Sequence, residues 1–560
     1  MRRFLLSLFV LVVGAAVLLS SGAASSKMHA RKASSFGEYA VRFKPGTPLA
    51  AMTAAIKAAR GVVIEDMHQI SALGAASTDR DFVATLTANP LVAAVFVDGV
   101  GPTAVSQLGG SGGATTATAA SGTATDPLHD ALQWDDQRMN VPAPTPGANG
   151  SGVKVAVIDS GVDATQRETA PSVLGQTKFI PCDALSSVIG KAEVFKYLGS
   201  HDCDSQDNSG HGTWIASRIA GALNGFASNG IAPAAKILDE KALAQTYGFD
   251  SMWVVSAMLD ACDKGANVLN LSLYVYNDPT DFADAQDYLL WVDAVAYCRA
   301  RGSTIVAALG NEHVRVDRVN TTVAGRALAG VGLVSSGPDG VGLTGPGEPL
   351  NDLRGLLVAP AGVPGVIAVS ASGNVIADGT GAVADPWRFP AGLTDQLAYY
   401  SSYGSRVDIA APGGARAYNV PDYDATSGNV FTQGYGILGA TDPSAELCGK
   451  ALGTGCFKLD RNAFMYLQGT SMSAADVSGA IALLLSAKPA LRGKPDAILA
   501  RLASTARRNM SNAVGPMSPV TGPTAAGECT TGFCHIDRQR PIAFADAYGA
   551  GIVDLSRALR

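Results

Sequence analysis

Charged residues are scarce in this sequence, and no stretch of it is strongly basic. They make up 16% of the 560 residues, and the formal net charge is −6. Because proteins that bind nucleic acid concentrate lysine and arginine on one face, no nucleic-acid partner is expected. Beyond the N-terminal segment, no apolar run is long enough to span a bilayer. The sequence therefore predicts no stable membrane anchor once that segment has been removed.

The N-terminal segment has the features of a secretory signal peptide. Met1-Arg2-Arg3 is positively charged, residues 4–20 are apolar, and Gly22-Ala23-Ala24 offers small residues for cleavage. We predict a signal peptide over residues 1–24, with an uncleaved membrane anchor as the alternative. No cysteine follows the apolar run, so a lipoprotein anchor is not indicated. The expected location is extracellular.

All eight cysteines lie after Trp134. In an exported chain this number predicts disulfide bonds, although connectivity cannot be deduced from sequence. Pairing nearest neighbours gives Cys182–Cys203, Cys448–Cys456 and Cys529–Cys534, which leaves Cys262–Cys298 on two predicted neighbouring helices. The run from His201 to Asp204 contains metal-binding residue types, but a disulfide in an acidic loop is the better interpretation.

Residues 36–100 follow the order β-α-β-β-α-β of a small ferredoxin-like α+β module. Tyr39, Val41 and Phe43 share one face of its first strand. The predicted elements are strand 39–43, helix 49–59, strands 62–64 and 69–73, helix 81–88 and strand 92–97. Residues 101–126 are rich in glycine, alanine, serine and threonine, which is typical of a flexible linker.

Residues 127–560 alternate short apolar runs with helical patterns. The expected strands are 153–158, 236–243, 268–273, 304–309 and 366–370, and the helical patterns include 213–220, 251–261 and 287–300. Fully apolar strands alternating with helices are typical of an α/β domain whose mostly parallel sheet is covered by helices on both faces.

Three polar residues lie where predicted elements begin or end. Ser471 is followed at once by an apolar helical stretch, His211 precedes a helical pattern, and Asp159 ends an apolar strand. A serine is nucleophilic only if a base takes its proton. Ser471 would attack a carbonyl, His211 would accept its proton, and Asp159 would orient the imidazole. Each residue alone has a structural interpretation, as a turn or helix-capping residue. The set in this order predicts catalysis.

At these residues the chain resembles the subtilisin-like (subtilase) serine proteases. The matching motifs are Asp159-Ser160-Gly161-Val162, His211-Gly212-Thr213, Ala307-Ala308-Leu309-Gly310-Asn311-Glu312, Ala410-Ala411-Pro412-Gly413 and Gly469-Thr470-Ser471-Met472-Ser473. The resemblance covers the chain from about Trp134 onward. Any one of these motifs is a weak signal, whereas all of them in the family's order are a strong one.

The resemblance implies a subtilisin-like peptidase domain over residues 127–560, with Asp159, His211 and Ser471 as the catalytic triad. It implies that the Asn311 side chain and the backbone N–H of Ser471 form the oxyanion hole. It further implies that Ser272, Leu273 and Tyr274 bind substrate, although core packing explains Leu273 equally well. Tyr274 stands where the family has glycine and should alter the rim of the pocket before the scissile bond.

The module over residues 36–100 resembles the propeptide of subtilases, which implies an intramolecular inhibitor and folding assistant that self-processing removes. The expected substrate is a protein or peptide. No cofactor is required, and no metal ligand is assigned. Calcium, which many subtilases bind, stays unassigned, because Asp163 and Glu168 lack the expected neighbours.

The sequence departs from the family at Ala475, where proline is usual, and Asp476 follows it at a position expected to favour the helix dipole. Three stretches are long insertions: 311–365, 414–462 and 511–544. We therefore predict a secreted serine endopeptidase made as a self-processing precursor. The alternative is a catalytically silent binding protein on the same scaffold. An α/β-hydrolase lipase or esterase is disfavoured by the order Asp, His, Ser.

Overall fold

A computed structural model describes residues 36–98, 126, 132–199, 201–244, 248–342, 351–374, 394–398, 400–415, 436–444, 448, 456–508 and 542–560. The predicted signal peptide (1–24), nearly all of the predicted linker (101–126), and Cys529 and Cys534 lie outside these residues. So does most of the predicted insertion over 511–544.

The predicted ferredoxin-like module is present as a four-stranded antiparallel sheet with two helices. Its elements are β1 (Gly37–Phe43), α1 (Leu49–Ala58), β2 (Val62–Met67), β3 (Ala72–Ser77), α2 (Phe82–Thr87) and β4 (Val92–Val97). The strand order is β2-β3-β1-β4. Alternating apolar residues of the strands and the inner faces of both helices form a core of their own, which includes Val41, Ile56, Leu73 and Phe82.

One predicted strand of the module, residues 69–73, was wrong in its position. The structure places a 3-10 helix at His68–Ile70, and β3 begins only at Ala72. Ser71 between them has a φ of +56°, in the left-handed region. The chain has to reverse here because β2 and β3 are antiparallel neighbours, so these residues form the connection and leave the sheet until Ala72.

The main sheet of the larger domain is mostly parallel, as predicted. Its strands are β5 (Lys154–Asp159), β6 (Val173–Lys178), β7 (Lys236–Lys241), β8 (Val268–Leu271), β10 (Thr304–Ala308), β16 (Val366–Asn374), β17 (Thr394–Leu397) and β18 (Ile409–Pro412). Their order is β17-β16-β10-β8-β5-β7-β6, with β18 also paired to β16. Every pair is parallel except β16 with β17. The central strands are buried throughout, as the continuous apolar runs predict.

Two pairs of helices cover this sheet. The helix His211–Ala220, called the histidine helix, packs on Thr470–Ala487, the serine helix, and on the central strands. Ser251–Asp263 and Phe282–Ala300 pack on each other and on the sheet. Within the described residues, the other α-helices of this domain are α3 (Trp134–Arg138), α4 (Cys182–Ile189), α5 (Lys191–Leu198), Pro495–Thr505, Phe544–Tyr548 and Leu555–Ala558. A second hydrophobic core, with Trp214, Trp253 and Trp291 in it, fills the layers.

The serine helix is the one described helix that is long and apolar enough to cross a membrane by length and composition. In the structure, however, 89% of that stretch is buried among the other elements of the domain. Its apolar residues therefore supply the core that the sequence pattern predicted around Ser471.

The insertions contain strands that apolar periodicity did not reveal. In the first insertion, β11 (Val316–Val323) and β12 (Arg326–Val334) form a hairpin that joins β15 (Leu357–Ala359) and β9 (Val275–Asn277) in one sheet. A short pair, β13 (Val341–Gly342) and β14 (Asn351–Asp352), follows the hairpin. The second insertion contributes to a sheet of β19 (Ile437–Thr441), β21 (Asn462–Leu467) and β20 (Cys456–Leu459).

Three of the disulfides expected from nearest neighbours are confirmed: Cys182–Cys203, Cys262–Cys298 and Cys448–Cys456. The second joins the helices Ser251–Asp263 and Phe282–Ala300. Because Cys203 is bonded to Cys182, its thiol is not available as a metal ligand, and the disulfide interpretation of the 201–204 run holds.

Candidate active site

Asp159 and His211 meet at the end of β5. Both side chains are 0% exposed, and His211 Nδ1 lies 2.8 Å from Asp159 Oδ1. The same Asp159 oxygen accepts the backbone N–H of Ser160 at 2.7 Å. The strand loop and the helix approach so closely that a Cβ at Gly212 would lie 2.1 Å from the carbonyl oxygen of Gly161. Only glycine at position 212 lets the carboxylate and the imidazole come within hydrogen-bonding distance.

Asp207 connects the Asp159 loop to the first turn of the histidine helix. Its Oδ1 accepts hydrogen bonds from Ser160 Oγ and from the N–H of Gly210, both at 2.8 Å. Its Oδ2 accepts hydrogen bonds from the N–H of Thr213 at 2.8 Å and from the hydroxyl of Thr213 at 2.6 Å. Ser160 Oγ in turn accepts the N–H of Gly212 at 3.0 Å. Burial raises the pKa of Asp207, and these donors counteract the increase because they favour the carboxylate.

Ser471 lies in the first turn of the serine helix, next to the chain that leaves β8. Its Oγ donates to the carbonyl oxygen of Ser272 at 3.1 Å. Ser272 Oγ donates back to the carbonyl oxygen of Ser471 at 2.8 Å, and Asn270 Nδ2 donates to Ser272 Oγ at 3.0 Å. Ser471 Oγ is therefore hydrogen-bonded to the segment that follows β8. Its side chain would have to rotate before Oγ could donate to another acceptor.

The side-chain nitrogen of Asn311 and the backbone nitrogen of Ser471 both lie within 4 Å of the position that a Cβ at residue 469 would take. A Cβ at Gly469, whose φ is +151°, would lie 3.6 Å from Asn311 Nδ2 and 3.7 Å from the backbone N of Ser471. Asn311 is oriented by Thr470, which donates its N–H to Asn311 Oδ1 at 2.9 Å and its hydroxyl at 2.8 Å. With Oδ1 thus occupied, Nδ2 is directed away from Thr470. The structure therefore brings together the two predicted oxyanion donors, and glycine at 469 keeps the space between them open.

The three residues predicted to bind substrate, Ser272, Leu273 and Tyr274, follow β8 directly and are all fully buried. Two hydrogen bonds join Ser272 to Ser471. Leu273 belongs to the main hydrophobic core. Tyr274 donates its hydroxyl to Glu312 Oε1 at 2.8 Å and accepts the N–H of Asn311 at 3.1 Å.

Asp476 has a different environment from the one expected. It is the seventh residue of the serine helix, is buried, and pairs with Arg218 of the histidine helix, which also contacts Asp135 and Asp136. Arg218 is 1% exposed. Asp476 therefore joins the two helices that carry Ser471 and His211. It belongs to a buried ion-pair cluster and does not lie in the first turn, where an interaction with the helix dipole was expected.

The candidate calcium residues do not form a recognisable metal site. Asp163 Oδ1 accepts the N–H and the hydroxyl of Thr165 in its own turn. Glu168 Oε2 accepts Asn224 Nδ2, and burial together with the nearby Asp126 raises the pKa of Glu168 to about 8. Among the residues that the structure describes, no group of three or more His, Cys, Asp or Glu side chains is arranged to hold a metal ion.

The profile of the subtilase family matches residues 150–539, which contain Asp159, His211, Asn311 and Ser471. This chain belongs to the subtilase family. Membership classes it with the serine-type peptidases, and it confirms the family resemblance that the sequence motifs predicted.

Individual subtilases share parts of this chain. It is 29% identical to thermitase of Thermoactinomyces vulgaris over 190 residues, which are 34% of this chain and 58% of thermitase. It is 30% identical to subtilisin E of Bacillus subtilis over 166 residues, 30% of this chain and 36% of that protein. The matched region is thus a little over half of the first relative and about a third of the second.

A solved structure resembles nearly the whole of this subtilase. The epidermin leader peptide processing serine protease of Staphylococcus aureus superposes with a TM-score of 0.58 at 19% identity, over 94% of this chain and 98% of that one. At this identity the likeness concerns the fold, and it agrees with the subtilisin-like α/β architecture predicted from the sequence.

Sequence reasoning missed two acidic residues of this subtilase site. Asp207, four residues before His211, sits in the run Asp-Asn-Ser-Gly, which is typical of an ordinary turn. Glu312 follows Asn311 directly at the end of a family motif, but the motif alone indicates no role for it. Neither residue has a periodic signal, because each acts through contacts with residues distant in the sequence.

Proposed function

We propose that this protein is a secreted serine endopeptidase that hydrolyses peptide bonds through Asp159, His211 and Ser471. The observation that carries the proposal is the buried hydrogen bond of 2.8 Å between His211 Nδ1 and Asp159 Oδ1. A carboxylate can only accept at this bond, so Nδ1 carries the proton and Nε2 of the neutral ring is the atom that can accept another. A buried carboxylate paired with imidazole is the arrangement that a general base requires.

In the proposed reaction, Ser471 Oγ attacks the carbonyl carbon of the scissile bond and His211 takes its proton. Asp159 stabilises the imidazolium that forms, and the histidine then gives the proton to the leaving amine. Water repeats the sequence on the acyl-enzyme and releases the acid. The oxygen of each tetrahedral intermediate would be stabilised by Asn311 Nδ2 and Ser471 N, the two donors that lie beside Gly469.

We further propose that the module over residues 36–100 is a propeptide that the enzyme removes by its own action. The module docks on the peptidase domain through several specific contacts. Arg42 forms an ion pair with Asp293 at 2.5 Å, Gln69 Nε2 donates to Asp263 at 3.0 Å, and Glu38 accepts the hydroxyl of Tyr197. A module that has its own core and these contacts can form a stable unit after the linker is cut.

Export by the segment 1–24 belongs to the same proposal. Three disulfides within the described residues support an oxidising, extracellular location, because such bonds persist where thiols are not kept reduced. The proposed chemistry needs no cofactor. Calcium stays unassigned, because no group of three or more His, Cys, Asp or Glu side chains among the described residues is arranged to hold a metal ion.

The proposal is tested by expressing the whole chain and treating it with a fluorophosphonate probe. Wild type should be labelled at Ser471 and should lose its leader, whereas Ser471→Ala should stay full length and unlabelled. Ser473→Ala is the matched control, since Ser473 lies on the same helix and its Oγ donates to the Ala411 carbonyl. That variant should still be labelled. A correctly folded wild type that neither reacts nor processes would contradict the proposal.

A further inference from the structure

The backbone of Asn311 is bound by a cluster of three side chains. The N–H of Asn311 donates to the hydroxyl of Tyr274 at 3.1 Å and to Glu312 Oε2 at 3.0 Å. Tyr274 donates its hydroxyl to Glu312 Oε1 at 2.8 Å, and Tyr276 donates its hydroxyl to Glu312 Oε2 at 2.6 Å. We call Tyr274, Tyr276 and Glu312 the tyrosine-glutamate cluster. Both tyrosines come after β8 and Glu312 comes after β10, so the cluster joins the chain segments that leave two neighbouring strands.

Asn311 is therefore held at both ends. Thr470 fixes the side-chain oxygen with two hydrogen bonds, and the cluster fixes the backbone N–H. The preceding peptide is fixed as well, because the carbonyl oxygen of Gly310 accepts the N–H of Ser402 at 3.0 Å. A donor stabilises an oxyanion only when it lies about 2.7–3.1 Å from the position that the charged oxygen will take. A small displacement of Asn311 would therefore reduce the stabilisation that its side-chain amide can give.

The cluster also packs against the turn that leads into Asn311. The φ of Gly310 is +128°, and a Cβ there would lie 3.0 Å from the hydroxyl oxygen of Tyr276 and 3.2 Å from Glu312 Oε2. Because residues with a side chain rarely adopt this φ, and because the added Cβ would press on the cluster, the turn requires glycine.

The first insertion supports the cluster at two points. β9, which contains Tyr276, pairs with β15 of the insertion, and Val358 is the residue opposite Tyr276. In β13 of the insertion, a Cβ at Gly342 would lie 2.8 Å from Glu312 Cβ. The backbone of β13 therefore lies against the side chain of Glu312. Through these contacts the insertion is packed on the residues that bind the N–H of Asn311.

The cluster has two interpretations. As a purely structural network, it would stabilise the fold, because Tyr274 is 0% exposed, Glu312 is 4% exposed, and buried polar groups need hydrogen-bond partners. As a positioning network, it would also act on the reaction through its hydrogen bonds to the N–H of Asn311. Burial raises the pKa of Glu312, and the hydrogen bonds from both tyrosines oppose this increase, under either interpretation. The two differ in one respect: only the positioning role depends on the side chain of Asn311.

We propose that Tyr274 and Glu312, supported by the first insertion, are positioning residues that keep Asn311 in place to stabilise the oxyanion. This inference rests on the proposed function, because it concerns the oxyanion hole of the same site. It gives a role to Tyr274, which stands where the family has glycine, and to strands β13 and β15 of the insertion. Their effect on the reaction passes through the side-chain amide of Asn311.

The test measures kcat and KM for a peptide p-nitroanilide, using the full chain with its linker cut by an added protease. Tyr274→Phe removes only a hydroxyl. It should lower kcat by about tenfold, less than the loss of about 10²–10³ expected when the Asn311 donor is deleted, and should change KM by less than about twofold. In an Asn311→Ala background the same substitution should change kcat by less than about twofold, because the amide that it positions is absent.

Tyr548→Phe is the matched control for Tyr274→Phe. It also removes the hydroxyl of a fully buried tyrosine, which donates to the carbonyl oxygen of Asp395 at 2.5 Å. This variant should keep the wild-type kcat, even where its stability falls.

Gly342→Ala tests the contribution of the insertion and leaves every side chain of the cluster unchanged. Its methyl group would press on Glu312 Cβ, so kcat should fall by about threefold or more, and this loss should disappear in the Asn311→Ala background. Gly337→Ala is the control in the same insertion. The nearest atom to its Cβ would be Ser335 Oγ at 3.5 Å, an ordinary contact, so this variant should keep the wild-type kcat.

Labelling of Ser471 by a fluorophosphonate, measured on the same samples, separates this inference from the proposed function. An unlabelled wild type refutes both. With a labelled wild type, the inference alone is overturned if Tyr274→Phe keeps its kcat, if the loss appears in KM, or if the losses multiply in the double variant with Asn311→Ala. If Tyr274→Phe fails to fold, Gly342→Ala decides. A loss that disappears without the Asn311 amide supports the inference, and an unchanged kcat or a multiplied loss overturns it.

Discussion

Ser160 Oγ donates to Asp207 Oδ1 at 2.8 Å, and through this bond the loop that follows Asp159 is attached to the turn that precedes His211. Asp207 fixes both backbones, because it also accepts the N–H of Gly210 and of Thr213. The 2.8 Å contact between Asp159 and His211 is thus maintained by a third residue, Asp207.

Asp207→Asn should weaken both stability and catalysis. An amide replaces one accepting oxygen by a donor, so some of the N–H and O–H groups that now face Asp207 lose their acceptor. The free energy of unfolding should fall by roughly 1–3 kcal/mol, and kcat should fall more than KM rises, since the change misaligns the base without touching substrate. Denaturant titration and steady-state kinetics measure the two effects.

Asp204→Asn is the matched control for Asp207→Asn. Asp204 lies in the same loop, its side chain is 51% exposed, and it accepts the N–H of Gln206. Its ion pair with Lys241 is long, at 3.9 Å. This variant should stay close to wild type in both measurements. If Asp207→Asn behaves like it, Asp207 has no positioning role.

Asn311→Ala should lower kcat by about 10²–10³ and leave KM nearly unchanged, because the lost donor acts on charge that develops only in the transition state. The magnitude is that of the equivalent loss in a subtilisin, a member of the same family. Asn320→Ala on β11 is the control, since its exposed amide accepts the N–H of Gly330 far from the site. A drop caused mainly by a higher KM would indicate that Asn311 binds substrate in the ground state.

The docking of the module should weaken as pH rises. Five buried carboxylates meet at its interface: Glu38, Glu65 and Asp98 of the module and Asp250 and Asp287 of the peptidase domain. Burial and mutual repulsion raise the pKa of Glu65 and Asp98, and burial raises the pKa of Asp287 to about 7. The docked state therefore binds more protons than the separated parts.

Proton linkage gives the direction in which association changes with pH. Association should be strongest near the ordinary carboxyl pKa of about 4 and should decline as pH rises through about 7. Around the five carboxylates lie Asp66 and Asp284, which add negative charge, while Arg42 faces Asp293 and Arg326 at the edge. None of these surrounding contacts reverses the direction.

The measurement uses full-length Ser471→Ala with a protease recognition sequence placed in residues 101–126. After the linker is cut, gel filtration between about pH 5 and pH 9 reports how much module stays bound. This range lies above the ordinary carboxyl pKa and includes the raised pKa of about 7 for Asp287. The double variant Glu65→Gln, Asp98→Asn should stay bound across more of this range. Retention that is equal at every pH, or stronger at high pH, would refute the prediction.

Loss of the Cys262–Cys298 bond should destabilise the peptidase domain by about 2–4 kcal/mol, because it closes a loop with a sequence separation of 36. The Cys448–Cys456 bond, with a separation of 8, should contribute less. Replacing each pair by alanine and comparing denaturant midpoints tests the order. Equal or reversed effects would mean that strain or denatured-state structure outweighs loop closure.

Much of the fold was predictable because the strands of the main sheet are continuous apolar runs with helical patterns between them. β5, β8 and β10 begin and end within a few residues of expectation. The β11–β12 hairpin was not predicted. Exposed polar residues and glycines interrupt its apolar residues, so the segment resembles a loop unless the pairing of the two strands is known. The later start of β3 depends on the positive φ of Ser71, and a serine in the sequence does not predict that conformation.

Part of the candidate site could be predicted from the sequence, and part could not. Asp159, His211, Asn311 and Ser471 were predictable from short motifs at element ends. Asp207 and the hydrogen bonds of Tyr274 and Tyr276 to Glu312 were not, since these contacts join residues 36 to 47 positions apart in the sequence. Tyr274 was recognised as a substitution for glycine, but its fully buried ring and its bond to Glu312 required the structure.

The most direct test of the proposed triad is whether Ser471 and His211 act as one unit. The kcat for an amide substrate should be measured for Ser471→Ala, His211→Ala and the double variant, each after its linker has been cut by an added protease. We predict that the double variant is no slower than either single variant, because removing one member already disables the proton transfer that the other needs. Losses that add in the double variant would contradict the proposed triad.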